Sequence, residues 1–266
     1  MRSLMVIGAA ALMLGAGTAQ AQEMRTAADW CKESGEWRES VARACDVREY
    51  TVASNSVDVN AGKNGGVRVM GGTRTDTLVR ARVVATGETQ ADADALAKQV
   101  RISTDGGKVT ATGPDRTNDR RGWQVSFEVW VPAKANVSAR TGNGGISIAN
   151  VSGKVGFEAV NGGVTLSRVS GDVRGSTVNG GLHVELDGDH WEGAGLDAHT
   201  TNGGVSLTVP DGYSCRLAVA TVNGGVRSDF PLTVQGRLDK NLDVTLGAGG
   251  APVRLATTNG GVHLKR

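Results

Sequence analysis

The triplet Asn-Gly-Gly followed by an apolar residue occurs seven times, starting at Asn64, Asn143, Asn161, Asn179, Asn202, Asn223 and Asn259. From Asn143 onward the starts are 18, 18, 23, 21 and 36 residues apart, the last interval being twice the shortest. A period near 20 residues that returns with the same phrase is the mark of a stacked array, in which each repeat is one coil laid on its neighbour.

The inside of a repeat has its own order. In "NGGVTLSRVSGDVRGSTV" the apolar residues Val164, Leu166, Val169, Val173 and Val178 stand among polar residues and glycines, and "NGGISIANVSGKVGFEAV" fills nearly the same slots. Alternation over three to five positions predicts short strands with one buried face. A second turn falls half a repeat later, at Gly153 and Gly171. Each repeat therefore has two turns and at least two short strands. The structural turns are assigned to Asn143-Gly144, Asn161-Gly162, Asn179-Gly180, Asn202-Gly203, Asn223-Gly224 and Asn259-Gly260. Tight corners favour residues at positive φ, which glycine occupies without steric cost, so Gly162 and Gly180 are expected there. Stacked corners would also bring the asparagine amides into a hydrogen-bonded ladder.

Asn-Gly is equally a hairpin signal, and an antiparallel sandwich or barrel is the competing fold. The return of an extended phrase, rather than of a turn dipeptide alone, favours equivalent positions in successive coils. The fold class read from the sequence is all-β: a parallel β-solenoid (a β-helix), right-handed by the usual rule for parallel crossovers. It is preceded by a mixed sheet carrying one short helix. That helix is "TQADADALAKQV", with Thr89 as its cap, acids early and Lys98 late. Such a sheet and helix would cover an otherwise open stack end. The expected divisions are a signal peptide over 1–21, a cysteine-bearing segment over 22–47, a β-rich part over 48–140 and the repeats over 141–266.

The signal peptide rests on Arg2, the apolar run to Leu14 and the Ala19-Gln20-Ala21 ending. The run is too short for a bilayer span. Export to the periplasm, the cell surface or the medium follows, and permits disulfides. Cys31 and Cys45 are expected to pair and staple a short polar segment, leaving Cys215 as a buried thiol. Lys plus Arg number 29 against 27 Asp plus Glu. That near-balance gives no reason to expect nucleic acid as a partner.

No metal-ligand spacing, nucleophile elbow or phosphate loop is found, so no catalytic residue, metal or cofactor is assigned. His183 and His263 share the outward slot of the repeat and read as surface residues. One stretch departs from the period: "ELDGDHWEGAGLD" lengthens a repeat by five residues and gathers Asp187, Asp189, Trp191 and Glu192. Loops on a rigid scaffold are frequent binding sites. Two readings stay open: a ligand loop with Trp191 as its platform, or a solvated loop whose Trp191 folds back over a coil edge.

The exported leader, the irregular strands with one helix and the "NGGV-x-L … VSG-x-V" units resemble the bacterial putative-adhesin domain family. The resemblance runs from about Val47 to Lys265. It implies an exported, right-handed β-helical protein, and it transfers no catalytic residues. The function expected is that of a non-enzymatic envelope interaction or structural protein, with envelope polysaccharide or a protein surface as partner. The alternative is a polysaccharide-binding or polysaccharide-active β-helix protein.

Overall fold

The computed structural model describes residues 24–32, 41–115, 121–232 and 240–266. The leader assigned to 1–21 lies outside the described residues. Helix α1 (Ala27–Lys32) precedes strands β1 (Ala42–Val52), β2 (Ser56–Asn60), β3 (Val67–Gly72) and β4 (Thr77–Gly87). Helix α2 (Gln90–Gln99) leads to β5 (Arg101–Ser103), β6 (Lys108–Thr112) and β7 (Gly122–Pro132). Two-strand units follow: β8–β9 (Asn136–Asn143, Ile146–Ala149), β10–β11 (Ser152–Asn161, Val164–Ser167) and β12–β13 (Ser170–Asn179, Leu182–Glu185). The remaining units are β14–β15 (Gly195–Asn202, Val205–Thr208) and β16–β17 (Cys215–Asn223, Val226–Ser228). Strand β18 (Asn241–Leu246) then precedes the last unit, β19–β20 (Pro252–Asn259, Val262–Lys265).

The protein is mostly β, with two ten-stranded sheets among the described residues. Each unit gives its first strand to one sheet and its second to the other, with the Asn-Gly-Gly corner between them. Equivalent strands pair in parallel and in register, Asn161 on Asn143 and Asn179 on Asn161. Successive repeats thus pair in parallel and not as hairpins. Inward side chains stack in rows: Val137, Val155, Val173 and Leu196 on one sheet, and Ile146, Val164, Leu182 and Val205 on the other. Volume is balanced between neighbours. Phe157 sits over Gly175, where an added Cβ would meet the ring's Cγ at 2.6 Å.

Among the units from β8–β9 onward, stack order departs from chain order in one place. The first sheet runs β8, β10, β12, β14, β19, β16, so the final unit β19–β20 lies between β14–β15 and β16–β17. The 36-residue interval is therefore not a skipped coil. The chain passes over one position, forms β16–β17, adds β18 antiparallel on the far side of β16, and returns to fill the gap.

At the other end β6 and β7 extend β2 and β3 in parallel, and β4 and β1 continue antiparallel from β7. Helix α2 packs Ala93, Leu96 and Ala97 inward. It begins with a capping box between Thr89 and Asp92, and Arg48 binds its last carbonyls at Ala97 and Val100. Across β1, β4 and β7 runs a charged row, Glu49–Arg80–Glu128, that would be solvated on a bare sheet. Here Arg80 and Glu128 are each only 2% exposed. Helix α1 covers them: Trp30 lies over the guanidinium groups of Arg25, Arg80 and Arg82, and Arg25 also pairs with Glu128.

The Cys31–Cys45 disulfide fixes α1 to β1, with Cα atoms 5.9 Å apart. Cys215 is fully buried, and burial pushes its thiol up to about 11. We expect alkylation at pH 8 to leave Cys215 unmodified in the folded protein and to modify it after denaturation, with peptide mapping showing Cys31 joined to Cys45. Rapid labelling of native Cys215 would contradict the burial.

Candidate functional site

The seven corners form one continuous polar ladder. Side-chain Nδ2 groups donate to Oδ1 groups from Asn143 to Asn64, Asn161 to Asn143, Asn179 to Asn161 and Asn202 to Asn179. The ladder continues from Asn259 to Asn202 and from Asn223 to Asn259, every step being 2.7–2.9 Å. Beneath it, buried Thr141, Thr177, Thr200, Thr257 and Thr221 each donate a hydroxyl to a corner-glycine carbonyl. That satisfies acceptors which burial would otherwise leave unpaired.

The reason for glycine at these corners differs from the sequence expectation. Gly144, Gly162, Gly180, Gly203, Gly224 and Gly260 are not among the positive-φ residues. Their constraint is close stacking: a Cβ on Gly162 would lie on the carbonyl of Gly144, 2.5 Å from its carbon. Left-handed backbone occurs instead at the opposite corner, at Asn150 (φ 58), Arg168 (φ 51) and Gly171 (φ 100).

The inserted loop also differs from one of its two readings. Trp191 is 4% exposed and its indole donates to the Gly171 carbonyl at 3.1 Å. The backbone of Gly171 donates in turn to Glu192 at 2.7 Å. Five extra residues replace a regular corner, and the large ring fills the space that a short corner would have closed. Trp191 is not presented as a ligand platform. Asp187, Asp189 and Glu192 remain exposed. Asp189 is held below the usual carboxylate range by its hydrogen bond from His190 at 2.6 Å. Burial raises the Tyr213 phenol, with the neighbouring Cys215 and then Asp187, Asp189 and Glu192 adding to it. Truncating Trp191 to alanine should cost roughly 3–5 kcal/mol of stability, the range for a large buried aromatic. Equilibrium urea denaturation measures this, and an unchanged midpoint would show that the ring is not core.

A second cluster escaped the sequence reading. His183, Ser206, His263 and Arg227 lie on successive strands β13, β15, β20 and β17, in register on the outer face. His263 Nδ1 accepts from Arg227 at 3.0 Å, and Nε2 donates to Asp229 at 2.7 Å. An arginine can only donate, which fixes this neutral tautomer. The hydrogen bond from His263 holds Asp229 below the usual carboxylate range. With both ring nitrogens engaged, His263 has no free site with which to activate Ser206. Only the returning C-terminal unit brings these residues together, so chain order hides the cluster. On the other outer face Arg140 pairs with Asp58 (2.6 Å), Arg174 with Asp172 (2.9 Å) and Arg216 with Asp243 (3.1 Å).

Seven registered corners, two sheets and a buried insertion thus span most of the chain, and the sequence profile of the Toastrack DUF4097 family matches residues 47–265. The chain belongs to this family. The clip made by α1 and Cys45 precedes the matched Toastrack region. Among solved structures, this Toastrack chain is similar to a putative cell adhesion protein from Clostridium sporogenes at 12% identity. That match covers 83% of this chain and 99% of the other, with a TM-score of 0.41. A putative adhesin from Bacteroides fragilis is similar at 13% identity, covering 83% and 97%, with a TM-score of 0.37. A putative lipid binding protein from Parabacteroides distasonis is similar at 8% identity, covering 84% and 97%, with a TM-score of 0.31. No functionally curated protein matches the chain. No helix among the described residues is long and apolar enough to cross a membrane.

Proposed function

We propose that this Toastrack chain is an exported, non-enzymatic β-solenoid whose outer faces make an adhesin-like contact surface at the cell envelope. Its partner in this reading is an envelope polysaccharide or protein surface. The observation that carries it is the outer face itself. Side chains there stand in straight rows one strand spacing apart, and Arg140–Asp58, Arg174–Asp172 and Arg216–Asp243 pair within one face. A surface of that kind recognises extended partners by shape and repeated polar contacts. The pairing of both His263 nitrogens supports a non-catalytic role for the densest polar cluster.

The same reading takes cleavage after Ala21, right-handed coiling, and the divisions at 22–47, 48–140 and 141–266. Its test is retention of the mature protein on immobilised envelope extract and on a glycan array, with hydrolysis of the same glycans followed in parallel. Saturable retention without hydrolysis is the expected result. Turnover of any glycan would replace the reading with that of a polysaccharide-active enzyme.

A further inference from the structure

The Asn ladder has two ends, and one of them opens into a cavity. Beyond Asn64 the next strands in the two sheets are β6 and β7. Asn64 accepts from Asn143 through Oδ1, while its Nδ2 donates to no other described residue. Six amide hydrogen bonds in line polarise one another, so this terminal N–H group is a stronger donor than an isolated amide. Beside it lies a cavity of about 320 Å³.

The lining of that cavity is divided by chemistry. Trp123 forms one wall, and its indole N–H is already given to the Pro114 carbonyl at 2.7 Å, so its contribution to the cavity is apolar. Ala61, Val84 and Ala111 add aliphatic surface. Around them stand Asn64, Thr86, Gln124, Lys63 and Asp115, which offer amide, hydroxyl and charged groups of both signs. The segment bearing Lys63 and Asn64 is fixed in place, because the carbonyls of Gly62 and Lys63 accept from Gly142 and Asn143 at 2.8 Å. An aromatic wall with a few convergent polar groups, in a preformed cleft of this size, is what small-molecule sites share.

We propose that this cavity binds one N-acetylated aminosugar unit of an envelope glycan. An acetamido group matches both halves of the lining: its methyl fits the Ala61–Val84–Ala111 surface, and its carbonyl accepts from Asn64 Nδ2. The sugar ring lies against Trp123, and its hydroxyls reach Thr86, Gln124 and Asp115. A purely apolar chain would leave the Asn64 and Lys63 donors unpaired, and a fully ionic ligand would gain nothing from the aliphatic surface. The proposal rests on the envelope-contact reading above and assigns that contact a ligand class.

The test uses calorimetric titration of the purified mature chain with three soluble probes: the β-linked trimer of N-acetylglucosamine, the corresponding glucosamine trimer and the glucose trimer. Saturable binding of the acetylated trimer is expected, with each of the other two weaker by about tenfold or more, the equivalent of 1.4 kcal/mol. Trp123→Ala should remove the binding. Because that change touches the core, Gln124→Ala and Thr86→Val serve as milder variants. Each should weaken binding severalfold while thermal unfolding stays at the wild-type midpoint. Equal binding of all three trimers would overturn the acetamido assignment. Absence of binding by the wild-type chain, or binding untouched in all three variants, would overturn the site. Retention on envelope extract, measured with the same variants, separates the two proposals. If wild type and variants are retained equally while no trimer binds, the contact surface stands and the cavity does not.

Discussion

Deleting residues 252–266 is expected to unfold much more of this protein than the fifteen residues removed. A terminal unit of a linear stack has one neighbour, and its loss leaves the remainder intact. Here the last unit in the chain is internal to the stack, flanked by β14–β15 on one side and β16–β17 on the other. It supplies Val253, Leu255, Val262 and Leu264, all at most 2% exposed. Each fully buried aliphatic side chain is worth about 1.5–3 kcal/mol, so the four together approach the whole stability of an ordinary domain. The deletion also opens a gap inside each sheet, exposing edges on β14, β16, β15 and β17, and breaks the ladder between Asn202 and Asn223. Circular dichroism and limited proteolysis should show loss of structure back through β16 and β14. A truncated protein that keeps the wild-type unfolding midpoint would refute the intercalated order. A milder check is cross-linking: a chain with Ser206→Cys and His263→Cys should oxidise to a disulfide, and one with Ser206→Cys and Arg227→Cys should not.

The second large effect is at a single corner. Gly162→Ala places a methyl on the Gly144 carbonyl, part of a backbone held by the Gly144 N–H bond to Asn161, and no side-chain rotation relieves it. Overpacking of a close-packed interior typically costs 1–3 kcal/mol, and a shift transmitted to both neighbouring coils puts this change at about 3 kcal/mol or above. Gly180→Ala should behave alike, since its Cβ would crowd the Gly162 carbonyl. The second glycine of the corner is the control. A Cβ on Gly163 would meet the Gly181 carbonyl at 3.4 Å, ordinary contact, so Gly163→Ala should cost no more than about 1 kcal/mol. The outward Thr165→Ala should stay within about 0.5 kcal/mol. Neither glycine has positive φ, so a difference between Gly162 and Gly163 measures stacking alone. Equal costs at the two positions would remove the stacking explanation.

The sequence by itself determined the local grammar: where the chain turns, which residues face inward, and that equivalent corners meet. Those follow from periods of two and of about 18 residues, which strand geometry and stacking impose on any chain of this pattern. The helix over 90–99 and the Cys31–Cys45 pairing were legible for the same reason, since caps and short loops are local physics. Tertiary structure decided what depends on competition between near-equivalent partners. The β16 and β19 strands carry almost the same phrase, "ATVNGGV" and "ATTNGGV". Parallel ladders are made by backbone groups that every residue shares, so the phrase cannot say which strand lies beside β14. The direction of Trp191 was settled by the volume the inserted loop had to fill, a property of the neighbouring coil. The cause of the glycines was likewise hidden. A requirement for positive φ and a requirement for close approach both select glycine, and only the distance between stacked backbones tells them apart. The cavity beside Asn64 is walled in part by Pro114 and Trp123, which the chain reaches about 50 residues later, so their nearness is invisible in the sequence.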